Sequence, residues 1–200
     1  MAVGHKWNDS NGRLDYVIIA TTGNAQEFGG LMPRHDTGAM TGSTVTRGFF
    51  AGGYSPGAPE AGRNEISYFL WATKGNSRGF GELTAHRWET QGGSAASPTR
   101  IVWMGNGGGA NSGGENHIDY TNPNTEGNAV DFGTMLVARF SYAAMTDSVR
   151  GVWGGGDGSP TQFNNIDYFN IETGGDCVDF GDLLALVQQT AGCSNGHGGL

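Results

Sequence analysis

A four-bladed, all-β propeller is the fold this sequence predicts, and three observations predict it. A Tyr and a Phe 12 residues apart recur four times, as Tyr16 and Phe28, Tyr68 and Phe80, Tyr120 and Phe132, Tyr168 and Phe180. The Phe positions step by 52, 52 and 48, and the wrap from Phe180 through Leu200 and Met1 to Phe28 is 48, so the steps account for all 200 residues. Each unit carries four short apolar segments between Gly, Asn, Asp or Pro clusters, the pattern of antiparallel strands. A period near 50 residues with four strands in each is one propeller blade.

The units run approximately 1–46, 47–99, 100–149 and 150–200, within a single repeat domain. The third and fourth are clearest. An apolar strand opens each, Arg100-Ile101-Val102-Trp103 and Arg150-Gly151-Val152-Trp153, and runs into glycine. A Gly-rich loop follows, then a segment ending in Asp119-Tyr120 or Asp167-Tyr168. Next comes a turn, Thr125 to Asn128, with copies at Thr21 to Asn24 and Thr73 to Asn76 and a variant at Thr173 to Asp176. Gly and Asn tolerate the positive φ such a turn needs. The Phe segment and a run of small residues complete the unit. Phe180 to Gln189 is the nearest approach to a helical period, but its copies carry Pro33 or a Gly-rich context, so a strand is expected there too.

The recurring polar residues read as architecture. Asp15, Asp119 and Asp167 precede the Tyr, and Ser67 replaces them in unit two. A side-chain bond to backbone, bracing a turn, is expected of them. One carboxylate per unit, with no second oxygen ligand at fixed spacing, argues against a metal site. Arg47, Arg100 and Arg150 open units, and Arg87 and Arg139 follow the Phe by seven. Arginine suits the bracing of neighbouring strands through carbonyls or carboxylates. Leu200 lies as far past Phe180 as Val152 does past Phe132, and Met1 to Gly4 take the places of Trp153 to Gly156. The termini thus read as two half-strands that close the ring and hide its edges. The rival reading is an open array whose ends pair with another subunit.

Bulk properties narrow the function. With 11 Lys+Arg against 19 Asp+Glu, the chain lacks the basic patch that nucleic acid requires. Only 15% of residues are charged while 37 are Gly, placed between aromatic and β-branched runs as turns would be. No apolar leader opens the sequence and no run is long enough to span a membrane, so membrane insertion is not expected. Cys177 and Cys193 stand at small or medium places and read as free, packed thiols. His5, His35, His86, His117 and His197 show no ligand spacing. No nucleophile elbow or P-loop occurs, and Gly105 to Gly109 lacks both the Lys and the following helix of a phosphate loop. No catalytic residue, metal or cofactor is expected, and the protein is read as a non-enzyme.

An apolar strand ending in a Gly doublet (Phe49-Phe50-Ala51-Gly52-Gly53, Val152-Trp153-Gly154-Gly155), a Tyr about 15 residues on and an aromatic 12 beyond resemble the kelch repeat. The second aromatic is Phe where kelch repeats usually have Trp. Thr-Gly-Asn-Ala-x-x-Phe-Gly and Arg-Gly-Val-Trp-Gly-Gly, with the ending Gly192 to Leu200, are more similar still to kelch-like repeats in structural proteins of tailed phages, notably cyanophages. The resemblance covers essentially the whole chain. It implies a kelch-like β-propeller in a virion component assembled in the host cytoplasm. It also implies other virion proteins as partners. Some kelch-like propellers are oxidases with a copper site of Tyr, His and Cys, and no residue here matches that site.

The loops after the Gly doublets differ in every copy: Tyr54 to Arg63, Gly107 to Glu115 and Asp157 to Phe163. Propeller loops of one kind gather on one face, and non-recurring loops on a recurring scaffold are where recognition is expected. Tyr54, Arg63, Glu115, Asp157, Gln162 and Phe163 supply rings and hydrogen-bonding groups suited to a host-surface glycan or protein. Trp71 and Trp88 have no aromatic counterpart in the other units and join them as candidate contacts, whereas Trp103 and Trp153 read as core. The expected function is a tail-fibre or adhesin-type module recognising a host-surface component. The alternative is a capsid-decorating or tail-connecting virion protein without a receptor.

Overall fold

The computed structural model describes residues 2–5, 12–30, 38–53, 63–87, 94–106, 115–158 and 161–193. Among them there is no helix, and 15 strands form four antiparallel sheets. The first sheet orders β1 (Ala2–His5), β2 (Arg13–Val17) and β3 (Gln26–Gly30). The second orders β4 (Met40–Ser43), β5 (Arg47–Ala51), β6 (Arg63–Leu70) and β7 (Arg78–Arg87). The third holds β8 (Ala95–Ala96), β9 (Ile101–Asn106), β10 (Glu115–Thr121) and β11 (Val130–Thr134), and the fourth β12 (Ala143–Thr146), β13 (Arg150–Gly154), β14 (Phe163–Asn170) and β15 (Val178–Val187). Each four-stranded sheet thus borrows its first, small-residue strand from the end of the preceding sequence unit. β15 is a ten-residue strand, as expected over the weak helical pattern.

A bulge recurs in every sheet. Leu14 pairs with Gly29 but Asp15 with Glu27, so Phe28 is the extra residue. Phe80, Phe132 and Phe180 are extra in the same way. A bulge bends its strand and re-aims a side chain. Here it turns each Phe ring edge-on toward the Tyr of its own sheet, with centroids 5.7–6.0 Å apart.

The core lies between sheets rather than inside any one of them. One cluster joins Leu14, Tyr16 and Phe28 to Phe50 and Phe69; a second joins Phe49, Tyr68 and Phe80 to Ile101 and Trp103; a third joins Met104, Ile118 and Phe132 to Trp153, Phe169 and Ile171. Three clusters fill three junctions between consecutive sheets. Each junction repeats one backbone clamp. Gly75 and Ser77 donate N–H to the carbonyls of Phe28 and Gly30, Gly127 and Ala129 to Phe80 and Glu82, Gly175 and Cys177 to Phe132 and Thr134, all at 2.7–2.9 Å. The side-chain oxygens of Asn76, Asn128 and Asp176 accept from the N–H of Gly30, Glu82 and Thr134. The Thr-x-Gly-Asn turn is therefore a hook over the preceding sheet. Gly29, Gly81 and Gly133 let it approach, since a Cβ there would lie 2.1–2.4 Å from the carbonyl of Gly75, Gly127 or Gly175.

The short strands continue this succession. Ser94 donates through N and Oγ to the Thr41 carbonyl, linking the β8 side to β4, and Thr146 Oγ1 donates to Ala96 O, linking β12 to β8. Gly192 lies against Ala143, Ala144 and Met145 of β12 in turn.

The expected N-terminal register is corrected. Leu200 and Met1, between which the seam was expected, lie outside the described residues. Val3 pairs with Tyr16 as Val152 pairs with Tyr168, so Val3 takes the place of Val152, three positions from the expected one. β1 fills the second-strand place of its sheet, because this register sets its residues against β2 as β13 is set against β14. The described residues do not close a ring. The outer strand β15 and the first turn, which would form the fourth junction, both face solvent.

Candidate recognition surface

The Gly-doublet turns all leave the second strand of a sheet at the same end. Gly52 and Gly53 have φ of 67° and 101°, and Gly155 and Gly156 of 71° and 112°, a left-handed pair that only glycine adopts without strain. Gly53 N donates to Arg87 O and Gly156 N to Val187 O, so each doublet also ties into the fourth strand of its sheet. Third strands begin there at Arg63, Glu115 and Phe163, three equivalent places with three different side-chain chemistries. The sequence-level candidates from these loops thus share one end of the array.

The fourth loop is described best. Asp157 bridges both Phe140 and Gln162, and the N–H of Gly158 donates to Thr161 O, making a tight hairpin. The Phe163 ring packs where a Cβ on Gly158 would sit, 2.7 Å from its edge. Asp157, Gln162 and Phe163 are all half-buried, and the Asp157–Gln162 bridge and the Phe163–Gly158 contact hold them close. In the second sheet Arg63 is half-buried, with Nη1 3.1 Å from Glu65 Oε1. Glu115 opens β10, opposite Asn106. Tyr54 and Trp88 lie outside the described residues.

Trp71 does not belong to this surface. It follows β6 at the opposite end of the sheet, where its N–H donates to Thr46 O and its indole Nε1 to Thr44 O. Its ring meets Phe69 edge-on at 4.8 Å. Trp71 caps the β4–β5 turn. Trp71 is half-buried, and the third and fourth sheets carry Pro123 and Ile171 at its place.

Beneath the loop end run two fully buried ion pairs that the sequence assigned otherwise. Arg87 Nη2 meets Asp119 Oδ2 at 2.7 Å and Arg139 Nη2 meets Asp167 Oδ2 at 2.8 Å, each across a junction. Arg87 Nη1 also donates to Trp103 O, and Arg139 Nη1 to Asn165 O. The arginines brace neighbouring strands as expected. The aspartates do not brace a turn; each anchors the arginine that follows the Phe strand of the preceding sheet, because the bulge beside Phe turns them inward. Burial raises the Asp167 carboxyl above its usual range, opposed by Arg139. Asp119 is better provided for, accepting from Thr84 N and Oγ1. Asp15 instead pairs with Arg13 of its own strand, at the surface.

Arg47 and Arg100 reach the next sheet too, donating to the carbonyls of Pro123 and Ile171 while lying over Tyr68 and Tyr120. Tyr142 is buried, donates to Met104 O at 2.5 Å, and burial holds its hydroxyl far above the ordinary range. Cys177 packs in the third core cluster, and burial pushes its thiol up to about 12. Among the described residues no three His, Cys, Asp or Glu side chains converge to hold a metal. No protein-family model matches this chain, and no curated protein matches its sequence.

Proposed function

We propose that this chain is a virion component of a tailed phage, a non-enzymatic tail-fibre or adhesin-type module built on a kelch-like, propeller-type scaffold. It binds a host-surface glycan or protein through the loop end and other virion proteins elsewhere. One observation carries this reading. At the three junctions the recurring Arg, Asp, Asn, Tyr and Phe are consumed by the frame, whereas the third strands begin at the loop end with Arg63, Glu115 and Phe163 at one equivalent place. A scaffold that holds its frame fixed and varies one rim is suited to recognition. The phage resemblance of the repeat supplies the setting.

The test is binding of the purified chain to candidate host cells and to a glycan array. Charge reversal at Asp157 with Gln162→Ala should lower the signal about tenfold or more, the loss of a few polar contacts at one patch. Unchanged binding by that variant, or retention on purified particles with no cell binding by the wild type, would favour the capsid-decorating or tail-connecting role.

A further inference from the structure

We propose that the outer face of β15 receives the first turn, residues 17–25, of a second copy of this chain, and that two copies close head to tail into one ring of eight sheets. The inference is independent of the host-binding role. It rests on a comparison of the three junctions the chain makes with the fourth it leaves unmade.

Phe28, Phe80 and Phe132 are 3%, 4% and 6% exposed, whereas Phe180 at the same place is 56% exposed. The residue after each Tyr provides the opposing wall. Phe69, Thr121 and Phe169 are 4%, 2% and 2% exposed, while Val17 is 38% exposed. Gly29, Gly81 and Gly133 each press on a neighbouring turn, and a Cβ on Gly181 would meet nothing within 4 Å. The backbone clamp is likewise missing at its two ends. No bond runs from Gly23 or Ala25 to Phe180 or Asp182, although the turn keeps Gly23 and Asn24 and the strand keeps Phe180 and Gly181. Arg150 lies over Tyr168 as Arg47 and Arg100 lie over their tyrosines. Those two also donate to Pro123 O and Ile171 O, and the matching acceptor for Arg150 is the carbonyl of Ile19. A shallow hollow lies under the first turn, lined by Tyr16, Val17, Ile18 and Gly23. The two ends are therefore the two halves of an interface the chain already makes three times.

The occupant is a second copy: within one chain the two halves do not meet, since Val17 and Phe180 both stay exposed, and another copy carries the turn that matches this face. Two unlike complementary faces on one subunit form a heterologous contact, which closes when the rotation permits. Four sheets from each copy give eight, the upper end of the usual propeller range. The electrostatics permit it. Val187 stands where Arg87 and Arg139 stand, so no cross-junction arginine is available to Asp15; Arg13, 2.8 Å away, supplies the cation from its own strand.

Light scattering on the purified full-length chain tests this. The wild type should have twice the 20.9 kDa chain mass. Val17→Glu breaks the turn half. Leu184→Glu breaks the face half, because Leu184 is fully exposed in the single chain yet occupies the place from which Thr84 binds Asp119 across a junction. Each variant should keep its circular dichroism and weaken the dimer about tenfold or more. Mixing the two variants should restore dimers, since one intact turn then meets one intact face. A monomeric wild type, an open-ended polymer, or a mixture that stays monomeric would each overturn the proposal.

Discussion

Asp167 and Arg139 show how much one residue pair can hold. Both are fully buried, and the carboxylate lacks the hydroxyl bond that Thr84 gives Asp119, because Leu136 stands at that place. Arg139→Met therefore leaves a buried carboxylate without its cation, which costs about 3–5 kcal/mol. Adding Asp167→Leu removes the orphan and should recover most of that loss. Urea unfolding of the single and double variants measures it, and equal losses would show that the pair is not coupled. From the sequence these aspartates were legible as recurring and structural, but not as partners of the arginines. The pairing spans a junction, and only the bulge beside the Phe decides which way the Asp points. One substitution did carry the signal. Ser67 replaces Asp in unit two, and the preceding unit has His35 where units two and three have Arg87 and Arg139.

At the scale of elements, strands and their order were largely legible, because an aromatic pair 12 residues apart and regular turn clusters mark them. The Gly doublets and the Thr-x-Gly-Asn turn were recognised as positions of special backbone. What the turn does was not legible. Its φ requirement and its reach over the neighbouring sheet call for the same residues, so the sequence alone cannot separate them. Gly81 separates them experimentally. Its partner across the junction is backbone, and a Cβ would lie 2.1 Å from Gly127 O. Gly81→Ala must push the third sheet's hook away from β7, at a cost of about 1–3 kcal/mol. Gly79→Ala, two residues earlier in the same strand, meets nothing within 4 Å and should stay within about 0.5 kcal/mol of wild type. Matching urea midpoints for the two variants would mean that the hook is not held by contact at Gly81. The same logic explains why the loop end was only partly foreseen. Strand register sets Arg63, Glu115 and Phe163 at equivalent places in three sheets, while Trp71 caps a turn at the other end, as a lone aromatic can do as readily as it can meet a ligand.

For the whole molecule, a linear succession of sheets predicts a gradient of protection. In repeat architectures each unit is stabilised chiefly by its neighbours, so a unit with two junctions is held more firmly than one with a single junction. Ile101, Val102, Trp103 and Met104 of β9 are all 0% exposed, with a packed sheet on either side. β15 has one neighbouring sheet and shows Phe180, Leu184 and Leu186 to solvent. Backbone opening tracks buried contact of this kind. Hydrogen exchange followed by mass spectrometry should therefore find β9 slowest in every form of the chain. The ends report on assembly. In Val17→Glu, held as a monomer, β15 and residues 17–26 should exchange fastest among the strands and their turns. In the wild type both segments should slow together, because each covers the other in the second copy. If they exchange equally fast in both proteins, the ends remain uncovered and the array works as four sheets alone. A slowing of β15 without the first turn would place some other partner on that face.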